Sequence, residues 1–89
     1  MTDAQSRFDQ AALAAKSLPE RPDNESLLQL YALYKQASAG DVSGEKPGFF
    51  DFVGIAKYEA WEKLQSLSRQ EAQEQYIDLV SKLGGQIED

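Results

Sequence analysis

The most unusual hydrophobic pattern in the chain lies in residues 27–38. Plotted as a helix at about 100° per residue, this segment places a mainly apolar and aromatic set on one arc of roughly 120°. The set is Leu27, Leu28, Tyr31, Tyr34, Lys35 and Ser38. We expect this arc to face the protein core. Because burying an unpaired ammonium costs several kcal/mol, the Lys35 side chain must either reach water or meet an anion.

Three further segments show helical spacing, so the pattern predicts four helices and no strand. Their expected bounds are about 4–18, 24–39, 52–66 and 69–83. Asp51 and Ser68 are typical N-caps for the third and fourth helices. Turn formers fill residues 40–50, which is a long loop for a compact bundle. We therefore expect one all-α domain spanning residues 1–89.

Composition and charge exclude several classes of function. The 89 residues contain no histidine and no cysteine, which removes disulfides, thiolate chemistry and the usual zinc ligands. No serine has an evident base beside it and no glycine loop resembles a phosphate-binding motif, so we expect neither a metal site nor an enzyme. A net charge of −6 argues against nucleic acid and anionic membrane surfaces as partners.

The sequence also lacks the patterns of membrane-targeted proteins. Its first residues show no positive region followed by an apolar run, and no apolar run approaches the length of a membrane span. We expect a cytoplasmic protein without stable membrane insertion, and a monomer is the simplest expectation. A helical protein–protein interaction module with an acidic surface is an alternative function, and an esterase or thioesterase, which would need turnover, is another.

A second lysine, Lys57, falls on the apolar arc of the third predicted helix, beside Trp61. For one lysine alone, the simpler interpretation is an aliphatic stem over the edge of the core with the ammonium in water. Two such lysines, with Lys35 flanked by Tyr31 and Tyr34, favour an anion site between the second and third helices. A phosphate would satisfy both cations, and tyrosine can contact a phosphate or a nucleobase.

Helical spacing alone predicts ordinary roles for the other aromatic and basic residues. Tyr76 lies centrally on the apolar stripe of the fourth helix, which predicts a core residue. Lys16 lies at the border of the apolar face of the first helix, which predicts a side chain in solvent. Phe49, Phe50 and Phe52 either anchor the long loop onto the bundle or line an apolar groove, and we favour the anchoring role.

One long segment resembles the signature of the acyl-CoA-binding protein family, in which YxxYKQAxxGD leads through a Pro-Gly loop to AKxxAW. That segment is YALYKQASAGDVSGEKPGFFDFVGIAKYEAWEKL. Phe8-Asp9 and the YIDLV run that begins at Tyr76 also match, so the resemblance covers nearly the whole chain. It implies a four-helix up-down-down-up bundle, with the long second loop as a crossover between parallel helices.

The same resemblance implies a function. Members bind medium- and long-chain acyl-CoA thioesters with high affinity and without chemical turnover, as intracellular carriers or pool formers, and no cofactor other than this ligand is implied. Contacts to the CoA head group and phosphates are implied for Lys16, Tyr31, Tyr34, Lys35, Lys57 and Tyr76. Positions near the acyl chain are implied for Ala12, Leu27 and Leu28. For Lys16 and Tyr76 these roles replace the ones that spacing predicts.

The chain departs from the family pattern around the start of the third helix. Val53 and Ile55 stand where many members carry basic residues, and Phe49 and Phe50 replace smaller aliphatic side chains. Fewer cations weaken contacts to a pyrophosphate, and larger aromatic side chains reshape a groove for an acyl chain. We expect these changes to affect the preferred acyl length.

Overall fold

The structure, a computed structural model, describes residues 3–87 and contains four α-helices in that range. They are α1 (Ala4–Ala14), α2 (Asn24–Ala39), α3 (Phe52–Glu62) and α4 (Arg69–Lys82), and a 3₁₀ turn (Ala15–Ser17) continues α1. The described residues contain no strand, so the predicted all-α class is confirmed. None of these helices is both long and apolar enough to cross a bilayer.

Each helix begins at a side chain that caps its first turn. The capping oxygen accepts a hydrogen bond from the backbone N–H three residues later, at donor–acceptor distances of 2.7 to 3.1 Å. The four capping residues are Asp3, Asp23, Asp51 and Ser68. Such caps satisfy backbone donors that have no partner inside the helix. The predicted starts of α3 and α4 are therefore confirmed.

Contacts at both ends show that α1 and α4 run parallel. Near their N-termini, the Gln73 side-chain amide donates to the Gln5 side-chain oxygen at 3.1 Å. Past their C-terminal ends, Gly85 lies so close to Ala14 that a β-carbon added to the glycine would approach the alanine β-carbon to 3.4 Å. The two helices thus point the same way along their whole length.

The direction of the other two helices follows from contacts at the C-terminal end of α2. Gln36 donates to the carbonyl of Leu67, just before α4 begins, so α2 and α4 are antiparallel. Trp61, near the end of α3, donates to the carbonyl of Gly40 at the end of α2, so α2 and α3 are parallel. The bundle is therefore up-down-down-up, and the 40–51 connection is the crossover that the resemblance implied.

The hydrophobic core lies between α1, α2 and α4. Its buried members are Phe8, Ala11, Leu30, Leu33, Ala37, Ala72, Tyr76, Ile77 and Val80. α3 contributes no buried residue to this cluster and packs on the outer side of α2, where its Trp61 is buried. The start of α3 is thereby left open to solvent on one side.

α2 turns a different face to the core from the one that we predicted. Its buried residues are Leu30, Ala32, Leu33, Gln36 and Ala37. The predicted arc is only half-buried at Leu27, Leu28, Tyr31 and Lys35 and is exposed at Tyr34 and Ser38. The prediction was wrong because small and aliphatic side chains allow close packing against α4, whereas hydroxyls and an ammonium need water or a ligand.

The third helix also ends earlier than the predicted Ser66. After Glu62 the backbone forms i→i+3 hydrogen bonds, at 3.0 Å from Leu64 N–H to the Trp61 carbonyl, and Ser66 adopts φ +80°. The Ser66 N–H donates to the Asp41 carboxylate at 2.8 Å. A contact with the crossover loop therefore overrides the local helical pattern.

The three phenylalanines before and within the first turn of α3 do not anchor the crossover loop. Phe49, Phe50 and Phe52 are 80%, 83% and 73% exposed. Polar contacts hold this loop instead: the Tyr58 hydroxyl donates to the Gly44 carbonyl at 3.2 Å, and elsewhere a lysine–glutamate ion pair joins the loop to α3. The favoured anchoring role was wrong.

One fully buried glutamine ties both long connections to the end of α2. The Gln36 Nε2 donates to the Asp41 carboxylate and to the Leu67 carbonyl, each at 2.8 Å. The Ser66 N–H and the Gln36 amide hold the pKa of Asp41 below its ordinary value. This carboxylate is therefore charged at neutral pH, which strengthens the hydrogen bonds it accepts.

Replacing this glutamine tests how strongly the fold depends on it. We expect Gln36→Ala to lower the free energy of unfolding by about 2–4 kcal/mol, since it truncates a buried side chain and removes two hydrogen bonds. Gln29→Ala makes the same change at an exposed position of α2 and should cost less than about 0.5 kcal/mol. Urea denaturation of both variants gives the comparison, and equal losses would contradict the role assigned to Gln36.

Candidate functional site

Two grooves are lined in part by α2 residues that lie outside its buried face: Tyr34 lines the first groove, and Leu27 and Leu28 line the second. The first has a volume of about 510 Å³ and lies between α1, α2 and α4. Its lining residues are Phe8, Asp9, Ala12, Leu13, Ala15, Lys16, Tyr34 and Tyr76. We call it the tyrosine groove. It brings together four of the predicted site residues from three different helices.

Three aromatic rings form the floor of the tyrosine groove. The Phe8 ring stacks on Tyr34 with centroids 5.6 Å apart and meets the Tyr76 ring edge-on at 5.2 Å. Tyr76 is only 4% exposed, so it is a core residue as spacing predicted and also reaches the groove. Tyr34 is 43% exposed, which leaves part of an aromatic surface available for a planar ligand group.

The chemistry of Tyr76 follows from its burial. Burial raises the pKa of Tyr76 above its ordinary value, and the neighbouring Tyr34 adds to the shift. The phenol is therefore neutral at physiological pH and keeps its O–H as a hydrogen-bond donor. A donor in a partly desolvated groove suits an anionic oxygen.

Charges at the edge of the tyrosine groove differ in sign. Lys16, at the C-terminal end of the first helical segment, is exposed and lines the groove, so its position agrees both with spacing and with the implied role. Asp9 also lines the groove, and its carboxylate accepts a hydrogen bond from the Gln5 amide at 3.0 Å. Groups with N–H or O–H donors are favoured near Asp9, and anionic groups near Lys16.

The second groove has a volume of about 530 Å³ and lies between the N-terminal halves of α2 and α3. Its lining residues are Arg21, Asn24, Leu27, Leu28, Phe52, Val53, Ala56 and Lys57. We call it the leucine groove. Its walls are mainly apolar, so it fits a hydrocarbon chain, while the lysine adds a cation at one end.

The two lysines on the predicted apolar arcs of α2 and α3 each lie over an aromatic ring. The Lys57 Nζ is 5.3 Å from the centroid of the Tyr31 ring, and the Lys35 Nζ is 4.9 Å from that of Trp61. These are cation–π distances. Lys57 is exposed and Lys35 is half-buried, so each lysine lies over an aromatic ring and keeps part of its surface open to a ligand.

The predicted arc of α2 is the strip that joins the two grooves. Tyr31 follows Leu27 by four residues and precedes Tyr34 by three, so it lies next to both on the helix surface. Leu27 lines the leucine groove and Tyr34 lines the tyrosine groove, whereas Tyr31 itself lines neither. Lys35 continues the strip one turn beyond Tyr31, although it does not line either groove.

The structure divides the predicted acyl-chain residues between the two grooves. Leu27 and Leu28 line the leucine groove, whereas Ala12 lies in the tyrosine groove beside Lys16. Arg21 and Asn24 also line the leucine groove but were not among the predicted site residues. The crossover loop could have indicated them, because it makes α2 and α3 parallel and so places the start of α2 beside the start of α3.

Comparisons with known proteins identify the family. The family model for acyl CoA binding protein matches residues 5–80. Acyl-CoA-binding protein homolog 1 of Caenorhabditis elegans is 46% identical over 76 residues, which cover 85% of this chain and 88% of that protein. The acyl-CoA-binding protein of Saccharomyces cerevisiae is 47% identical over 76 residues, covering 85% and 87%.

A solved structure agrees with both the topology and these sequence matches. The crystal structure of Oryza sativa Acyl-CoA-Binding Protein 2 superposes with a TM-score of 0.87 at 40% identity, covering 91% of this chain and 90% of that chain. The match extends over α1 to α4. The chain therefore belongs to the acyl-CoA-binding protein family, and the relatives described above are named as binding proteins.

Proposed function

We propose that this protein binds acyl-CoA thioesters, with the CoA head group at the tyrosine groove and the acyl chain in the leucine groove. The observation that carries the proposal is the single face of α2 that joins an aromatic, lysine-bearing groove to an apolar one. A ligand with a planar base, several phosphates and a hydrocarbon chain matches this sequence of surfaces. The names of the relatives from C. elegans and S. cerevisiae support the same ligand.

The head-group end combines stacking with charge. The exposed part of the Tyr34 ring offers a surface to adenine, and the Asp9 carboxylate can accept hydrogen bonds from an amino group or a ribose hydroxyl. The Tyr76 hydroxyl donates to a phosphate oxygen, with Lys16 as the nearby cation. We also place Ala12 at this end, because its small side chain leaves room for the head group beside Lys16.

The phosphates nearest the acyl chain meet the second pair of cations. Lys57 is held over the Tyr31 ring at the end of the leucine groove, and Lys35 lies one turn further along α2. The ammonium groups are accessible, so a phosphate can approach without the cost of breaking a buried ion pair. Tyr31 contributes its ring and hydroxyl between the two grooves.

The energetics require both halves of the ligand. Burying a methylene contributes about 0.8 kcal/mol, so half of a palmitoyl chain contributes several kcal/mol. A charge-assisted hydrogen bond contributes about 1.5–3 kcal/mol. After the costs of association, the acyl chain and the phosphate contacts together reach the binding free energy of roughly 12 kcal/mol that corresponds to nanomolar affinity. Neither the acyl chain nor the phosphate contacts reach this value alone.

The proposed role is that of a carrier. Both grooves are open on one side, so a ligand enters and leaves without unfolding of the bundle, and the sequence contains no cysteine or histidine to hydrolyse the thioester. We propose that the protein acts as a cytoplasmic monomer that keeps medium- and long-chain acyl-CoA bound and available. The acidic net charge of −6 disfavours nucleic acid as a competing partner.

Calorimetric titration with parts of the ligand tests the proposal. We expect palmitoyl-CoA to bind at least about a hundredfold more tightly than free CoA, because only the thioester fills the leucine groove. Palmitate alone should bind poorly, since it lacks the phosphates. Equal affinities for CoA and palmitoyl-CoA would contradict an acyl groove, and no binding of either would contradict the function.

Two lysine variants test whether both grooves serve one ligand. Lys16→Gln and Lys57→Gln each remove one cation, from the tyrosine and the leucine groove respectively. Each should weaken palmitoyl-CoA binding by about tenfold or more, with little change in melting temperature. Lys63→Gln is the matched control, since Lys63 is an exposed lysine at the end of α3 outside both grooves. If only one of the two substitutions, Lys16→Gln or Lys57→Gln, weakens palmitoyl-CoA binding, the two grooves do not share the ligand.

A further inference from the structure

The rim of the leucine groove carries two exposed apolar side chains that the packing of the bundle does not use. Phe52 and Val53 begin α3, line the groove, and are 73% and 66% exposed. Large apolar side chains exposed next to an apolar groove mark a surface that a ligand or partner covers. The direction of the groove and its charges indicate what kind of molecule covers these side chains.

The groove has a defined direction. Its polar end is at Lys57, which lies over Tyr31. Because α2 and α3 run parallel from adjacent N-termini, one turn back along α3 from Lys57 lies Val53, with Phe52 beside it. A chain that starts near Lys57 and follows the groove therefore reaches these two side chains last.

We infer that Phe52 and Val53 form a distal subsite for the far methylenes of a long acyl chain, and that they set the chain-length preference of this protein. This inference rests on the proposed function. The side chains act only on ligands long enough to pass Leu27 and Leu28. We therefore expect the protein to prefer acyl chains that are long enough to extend past the half-buried Leu27 and Leu28 and reach Phe52 and Val53.

The local electrostatics agree with a hydrocarbon occupant. Next to the rim, the Asp51 carboxylate is directed into the first turn of α3, where it accepts a hydrogen bond from the Gly54 N–H at 2.9 Å. No charge therefore lies between Lys57 and the rim along α3. At the far end, Arg21 and Asn24 make the groove polar again, which limits the apolar stretch.

The neighbouring phenylalanines provide a matched control. Phe49 and Phe50 are at least as exposed as Phe52, but they contact each other, with ring centroids 5.1 Å apart, and do not line the groove. Loss of their exposed apolar surface should not change ligand binding. A general effect of removing phenylalanine near α3 can thus be separated from an effect of the subsite.

The test measures dissociation constants of the full chain for octanoyl-, palmitoyl- and icosanoyl-CoA, at concentrations below micelle formation. We expect Phe52→Ser with Val53→Ser to weaken icosanoyl-CoA binding by at least tenfold, since one buried methylene is worth about fourfold in affinity. Octanoyl-CoA should change by less than about twofold. Phe49→Ser with Phe50→Ser should leave all three constants unchanged.

Other results would overturn the inference in distinguishable ways. If the Phe52/Val53 double variant weakens all three ligands equally, or none, while the unsubstituted protein binds them, the subsite is wrong and the proposed function stands. The subsite is also wrong if the Phe49/Phe50 variant shows the same chain-length dependence. If the unsubstituted protein binds none of the three ligands, the proposed function fails and the inference fails with it.

Discussion

The buried amide of Gln36 is the contact on which the arrangement of the helices depends. Its two hydrogen bonds, to Asp41 and to the Leu67 carbonyl, join the crossover loop and the α3–α4 connection to the end of α2. With the Trp61 indole donating to the Gly40 carbonyl, they hold the C-terminal ends of α2 and α3 side by side. A parallel pair of helices results, and the leucine groove is the space between their N-terminal halves.

This arrangement gives α2 three different surfaces. One packs against α4 in the core, one supports α3, and the third carries the residues that join the grooves. A helix in the middle of a small bundle would ordinarily be buried all round. Here α1 meets α2 through the stacked rings of Phe8 and Tyr34, and the tyrosine groove lies beside that contact. Core packing and the proposed ligand contacts are thus divided between different faces of one helix.

Much of the fold could be predicted because it depends on local sequence signals. The caps at Asp51 and Ser68 mark helix starts, and helical spacing finds all four helices. The face of α2 could not be predicted, because both of its sides carry apolar residues and only the packing partner distinguishes Leu33 from Tyr31. The early end of α3 depends on Asp41, which is distant in sequence from Ser66.

Helical spacing alone also identified only some of the candidate site residues. Lys35 and Lys57 stood out because a cation on an apolar arc conflicts with burial, whereas Lys16 and Tyr76 became candidates only through the family resemblance. Spacing placed Tyr76 in the core correctly, yet it could not show that the buried ring also reaches a groove. The anchoring role of the exposed phenylalanines was wrong because hydrophobicity alone does not show whether a side chain packs on the bundle or stays exposed.

Occupation of both grooves by one ligand, along a single face of α2, can be tested by backbone amide NMR of the labelled protein titrated with palmitoyl-CoA and with free CoA. We expect palmitoyl-CoA to shift the signals of residues in both grooves and free CoA to leave those of Leu27 and Leu28 almost unchanged. The signal of Gln29, on the other side of α2, should be little affected by either. Shifts confined to one groove with palmitoyl-CoA would contradict the occupation of both grooves by one ligand.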